Sequence, residues 1–101
     1  NVVSYRLINS PNFTRVAKKY ARNNPDFLIE LNSVLRLLSE DPFHTQLKTH
    51  KLKGDLREFW ACRINYELRI VFKFTNAVDS ETNTEVDAIF LATLGTHDEV
   101  Y

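Results

Sequence analysis

His97 stands directly after Gly95-Thr96, at the end of an apolar run, where a side chain can leave the edge of a sheet. An imidazole titrates near neutrality and can give or take a proton. A surface or strand-capping histidine would occupy the same position. Arg69 interrupts the apolar series Leu68, Ile70, Val71 and Phe72. A charge among such neighbours must reach the sheet surface or find a partner. Its guanidinium offers phosphate a planar fork; an ion pair with Glu67 or Asp98 is the structural alternative. Arg63, Asn65, Glu67 and Arg69 are spaced by two, so an unbroken strand through residue 69 gathers them on one face. A hairpin bend near Asn65 to Glu67 breaks that register, and Arg63 with Glu67 also reads as an exposed cross-strand ion pair. His50, Lys51 and Lys53 form a basic edge before Gly54, suited to a phosphate backbone or simply to solvent.

Other chemistries find little footing. The three histidines show no paired-ligand spacing, and one cysteine cannot build a zinc knuckle, so no metal or cofactor is expected. With two glycines, Gly54 and Gly95, there is no phosphate-binding glycine loop. Cys62 reads as a small buried hydrophobe. Phe59 and Trp60 read as core or partner-facing aromatics.

The positioning elements follow from the pattern. Val3, Tyr5 and Leu7 alternate with polar residues and predict a strand over 2–8. Ser10-Pro11 is a helix start, and Phe13, Val16, Ala17 and Tyr20 follow at helical spacing. Asn23-Asn24-Pro25 breaks that helix. A second helix carries Phe27, Leu28, Leu31, Val34, Leu35 and Leu38 and ends near Asp41-Pro42. Residues 42–54 read as a loop. Aromatic and β-branched runs predict strands over 59–66, 68–74 and 86–94, with a polar turn over 76–84. The order is β-α-α-β-β-β. It implies an α+β fold, with a helical hairpin packed on a mostly antiparallel four-stranded sheet and one domain over 1–101.

At 101 residues, 44% hydrophobic and 26% charged, the chain has an ordinary globular composition, and its twelve aromatics suffice for one core. No apolar run approaches the ~20 residues that span a bilayer. The chain starts without a methionine, as expected of a trimmed or processed piece, and shows no signal-peptide pattern. A lone cysteine suits a reducing cytoplasm. Net charge is zero but unevenly spread: residues 1–53 hold nine basic and four acidic side chains, residues 54–101 four and nine. A basic surface facing one way with an acidic tip at Asp79, Glu81, Glu85 and Asp87 facing another fits this spread, and so does a solvated mixed surface.

Three segments, on the strand-helix-helix-strand-strand-strand frame, carry a resemblance. They are His50-Lys51-Leu52-Lys53-Gly54-Asp55-Leu56, Arg69-Ile70-Val71-Phe72 and Gly95-Thr96-His97-Asp98-Glu99-Val100-Tyr101. The set resembles the RelE/ParE superfamily of toxins from type II toxin–antitoxin systems, in its RelE/StbE, YafQ-like branch. The resemblance implies a cytoplasmic toxin neutralised by a small antitoxin encoded nearby, in a hetero-oligomer. It further implies an mRNA interferase, a metal-independent endoribonuclease cutting messenger on the ribosome. A gyrase inhibitor of the ParE kind and an inactive antitoxin-binding relative are the alternatives, since one fold carries more than one activity. It makes His97 an acid or base, Arg69 and Arg63 phosphate and transition-state contacts, and Lys51 and Lys53 backbone anchors. Tyr101 becomes a base-stacking aromatic. YafQ-like relatives have histidine where Arg63 stands and aspartate where Glu67 stands. Arginine stays protonated and is a poor base, which leaves His50 or Glu67 for that role.

Overall fold

The computed structural model describes residues 4–100. Its first strand, β1 (Arg6–Asn9), leads into α1 (Pro11–Ala21) and α2 (Pro25–Glu40). Each helix starts as its sequence dictates. The Ser10 side chain accepts the Phe13 amide, the Asn24 side chain accepts the Phe27 amide, and a proline fills each first position. Ser10 Oγ also donates to the Ala92 carbonyl at 2.8 Å, tying the start of α1 to the sheet. Four further strands follow: β2 (His50–Lys51), β3 (Trp60–Arg63), β4 (Leu68–Val78) and β5 (Glu85–Thr96). A last turn of helix, α3 (His97–Val100), ends the described chain.

The sheet has five strands, not the expected four, in the order β1-β5-β4-β3-β2. The added strand is β2, inside the stretch read as a loop, where His50 pairs with Ala61 and Lys51 with Trp60. Two short 3₁₀ turns, Thr45–Leu47 and Gly54–Leu56, flank it. β1 joins β5 in parallel and every other pairing is antiparallel. The β4–β5 ladder also outruns its apolar runs, extending to Val78 and Glu85.

Alternation along the strands gives the sheet two different faces. Cys62, Ile70, Phe72, Ile89, Leu91 and Leu94 meet Phe13, Phe27, Leu31 and Leu38 of the helices in the main core. Burying each such large side chain contributes about 1.5–3 kcal/mol. The far face carries a smaller cluster of Leu52, Ala61, Val71 and Val100, flanked by Phe59 and Ala92. Val100 belongs to α3, so that turn folds back over the face turned away from the helical hairpin.

Candidate active site

β3 and β4 place two guanidinium groups directly across from each other. Arg63 pairs with Arg69, and Arg69 pairs with Gly95 on its other side. Directly opposed residues share a face, so this row lies on the face of Ala61 and Val71. His50 pairs with Ala61, one pleat repeat from Arg63, or roughly 6.5–7 Å along the strand. The register therefore collects His50, Arg63 and Arg69 on one face.

The connection between the arginines is a bend at residues 64–67, not a continued strand. Of the two registers the sequence left open, the bend holds, and it breaks the single-face grouping of Arg63, Asn65, Glu67 and Arg69. Asn65 builds the turn: its Oδ1 accepts the amides of Glu67 and Leu68, both at 2.9 Å, and an asparagine side chain that satisfies its own backbone favours a turn over a strand. Arg69 closes it from beneath, donating through Nη1 to the carbonyls of Asn65 (2.8 Å), Tyr66 (3.2 Å) and Leu68 (3.1 Å). Neither Glu67 nor Asp98 pairs with Arg69; among the described residues no carboxylate lies within ion-pair distance of either arginine. Arg63 instead sits 6.0 Å from the ring of Tyr66, itself 84% exposed. Glu67 lines a separate cleft of about 410 Å³, with Tyr20, Phe27 and Glu30 of the helical hairpin.

His50 donates Nδ1 to the Lys48 carbonyl at 3.0 Å, because a carbonyl oxygen can only accept. Nδ1 therefore carries a proton, which makes Nε2 the acceptor nitrogen of a neutral ring. Lys48 holds a left-handed backbone (φ 53°) to present that carbonyl, a conformation costing roughly 1–2 kcal/mol outside glycine. Lys51 is on the opposite face from His50, its ammonium 6.0 Å from the Trp60 ring. Lys53 is exposed at the start of the second 3₁₀ turn.

His97 opens α3, two residues beyond the glycine that pairs with Arg69. It is exposed, with Nδ1 3.6 Å from Asp98 Oδ1. A reciprocal cap fixes the turn that carries it. The Thr96 amide donates to Glu99 Oε1 at 2.8 Å, and the Glu99 amide to Thr96 Oγ1 at 3.4 Å. The Tyr20 hydroxyl donates to the same Oε1 at 2.7 Å. These bonds hold the Glu99 carboxyl below the usual glutamate range, and the Tyr20 hydroxyl, bonded to that carboxylate, is pushed up to about 12. Sequence reasoning missed Glu99 and Tyr20, although Thr96-His97-Asp98-Glu99 is a legible capping box. Tyr101 lies outside the described residues. Cys62 is fully buried and burial pushes its thiol up to about 12, so it is inert. Among the described residues no three His, Cys, Asp or Glu side chains cluster to hold a metal ion.

The family model "Bacterial toxin of type II toxin-antitoxin system, YafQ" matches residues 5–101. The chain belongs to the YafQ toxin family. None of the curated proteins matches it in sequence. Solved structures agree on the fold of this YafQ-family chain. A YoeB/ParE toxin from Agrobacterium tumefaciens superposes with a TM-score of 0.72 at 22% identity, covering 91% of this chain and 98% of its own. YafQ from E. coli gives 0.71 at 15% identity, with 96% and 98% covered. The YoeB–YefM complex from Staphylococcus aureus gives 0.67 at 24% identity, with 92% and 97% covered. Among the described residues no helix is long and apolar enough to cross a membrane.

Proposed function

We propose that the chain is an endoribonuclease that cuts messenger RNA on the ribosome through its own acid and base groups, without a metal ion. One observation carries this reading: two arginines opposed across β3 and β4, with no carboxylate between them among the described residues, share a face with His50, and His97 opens the turn two residues after the glycine that pairs with Arg69. Like charges opposed on neighbouring strands cost stability, and a phosphodiester relieves that cost.

His50 Nε2 takes the proton from the 2′-hydroxyl. The 2′-oxygen attacks phosphorus, Arg63 and Arg69 stabilise the charge that builds on the phosphorane, and His97 protonates the departing 5′-oxygen. Phosphorus loses one ester bond and gains another, leaving a 2′,3′-cyclic phosphate and a 5′-hydroxyl. Each proton transfer contributes about 10²–10⁴-fold when well placed, and charge stabilisation adds to it. Glu67, on the bend toward the helices, is the weaker base candidate. Lys53 offers the RNA backbone a salt-sensitive contact, and Tyr101 a ring for stacking. The ribosome places the reaction in the cytoplasm.

The toxin's partner is a cognate antitoxin, a reading supported by the heterotetrameric YoeB–YefM toxin–antitoxin complex of Staphylococcus aureus. Exposed Leu28, Ile29 and Phe43 offer it apolar surface. Programmed ribosomes incubated with the toxin, followed by primer extension on the message, test the reading. Discrete cuts support it. Intact message together with blocked gyrase supercoiling would favour the gyrase alternative, and failure of the adjacent reading frame to co-purify would count against the antitoxin.

A further inference from the structure

The Glu99 carboxylate lies where three parts of the molecule meet, and none of its contacts reaches the proposed substrate groups. A single oxygen, Oε1, receives the Tyr20 hydroxyl from α1 at 2.7 Å and the Thr96 amide from the end of β5 at 2.8 Å. The return bond from the Glu99 amide to Thr96 Oγ1 closes the cap. α3 is one turn long, far too short to persist on its own. Its ties to the rest of the molecule include Val100, buried against Leu52, Ala61 and Val71, and this carboxylate. The tyrosine ring is packed in its turn, 5.8 Å from Phe27 in the core. The linkage therefore runs from the helical hairpin, around the end of the sheet, to the turn that opens with His97.

We infer that Glu99 and Tyr20 are positioning residues: their hydrogen bond anchors α3 to α1 and so fixes where His97 stands relative to the Arg63–Arg69 row. What His97 does there rests on the proposed cleavage; how it is held does not. A charge-assisted bond from a phenol to a carboxylate is short and strong, and a catalytic group displaced by about 1 Å loses on the order of 10²-fold in rate.

Tyr20→Phe keeps the packed ring and removes only the hydroxyl. Glu99→Ala removes the carboxylate, and Glu99→Gln keeps an acceptor oxygen and serves as the rescue. Single-turnover cleavage of ribosome-bound message at saturating toxin should fall about 10–100-fold in Tyr20→Phe and Glu99→Ala. The half-saturating concentration should stay within about twofold, and Glu99→Gln should recover most of the rate. In a His97→Ala background Glu99→Ala should cost nothing more, because both changes remove one function. Full rate in folded Glu99→Ala, or an equal extra loss in the His97→Ala background, would overturn the inference. If the wild-type toxin cuts nothing, the cleavage reading fails, and the positioning is read instead from the NMR resonances of the His97 ring. They should shift in Tyr20→Phe and Glu99→Ala and return in Glu99→Gln. Resonances unchanged in all three variants would refute it.

Discussion

Arg63 and Arg69 face each other in register on adjacent antiparallel strands, with no acidic side chain between them among the described residues. Opposed like charges cost roughly 0.2–1 kcal/mol, yet the two arginines are not equivalent. Arg69 closes the 64–67 bend through three carbonyls, whereas Arg63 rests near the Tyr66 ring.

Neutralising them should therefore separate stability from activity. Arg63→Met removes the repulsion and one cation–π contact, so the melting temperature should hold or rise slightly while cleavage falls about 10²-fold or more. Arg69→Met should lower both, because the bend loses bonds that contribute about 1.5–3 kcal/mol when the donor is charged. Calorimetry beside single-turnover cleavage checks the pair. A fall in melting temperature for Arg63→Met matching that of Arg69→Met would contradict it.

Gly95 lies tightly against α3. A Cβ there would lie 3.1 Å from Glu99 Cβ, Glu99 Oε1 and Val100 Cγ1. Gly95→Ala should lift α3 at a cost of about 1–3 kcal/mol and slow cleavage by moving His97. Denaturant melts and cleavage rates, compared with an Ala substitution at exposed Asn76, would show it.

The Tyr20–Glu99 bond gives two pH signatures. Tyr20 titrates in the folded state at about 12, raised first by its bond to the Glu99 carboxylate. Its stabilising contribution is complete below the ordinary tyrosine value of ~10 and is lost as pH rises through the folded value. The Glu99 carboxyl is lowered, first by the Thr96 amide, so its contribution is present above the ordinary value of ~4.3 and is lost as pH falls through the lowered one. In a phenolate absorbance titration Tyr20→Phe should delete a late step, and Glu99→Gln should move that step to lower pH.

Cys62, fully buried, should resist alkylation in the native protein and react only as fast as the chain unfolds. Labelling measured against denaturant would reveal a native-state rate if burial were incomplete.

The frame was readable because its signals are local. Ser10-Pro11 and Asn24-Pro25 each combine a capping side chain with a proline tolerated only at a helix start, and the apolar runs around Ile70 and Ile89 are the interior of the sheet. β2 was not readable: His50 and Lys51 are both exposed, and a two-residue edge strand shows no alternation. Its strandness comes from pairing with Trp60 and Ala61, nine and eleven residues on. The β4–β5 ladder runs through Asn76 and Asp87 because hydrogen bonding continues beyond the apolar register. It carries the acidic residues at Asp79, Glu81 and Glu85 to the hairpin tip, at the opposite end of β4 from Arg69. Of the candidate site, residue types pointed to His50, Arg63, Arg69 and His97, but spacing alone left two registers open at Asn65, and its side chain makes the turn rather than the continued strand. Lys51 fell on the face opposite His50, beside Trp60, once β2 formed. The tie from Tyr20 to Glu99 spans 79 positions, a contact that no local pattern encodes.

Two imidazoles that work with the arginine row on one phosphodiester leave a signature at the cut ends. End-group analysis of message cleaved on programmed ribosomes by the wild type, His50→Ala and His97→Ala reads it. The wild type should leave 5′-hydroxyl and 2′,3′-cyclic phosphate ends, and each variant at least about 10²-fold less product. Equal cleavage by the wild type and His97→Ala, or 5′-phosphate ends from the wild type, would contradict it.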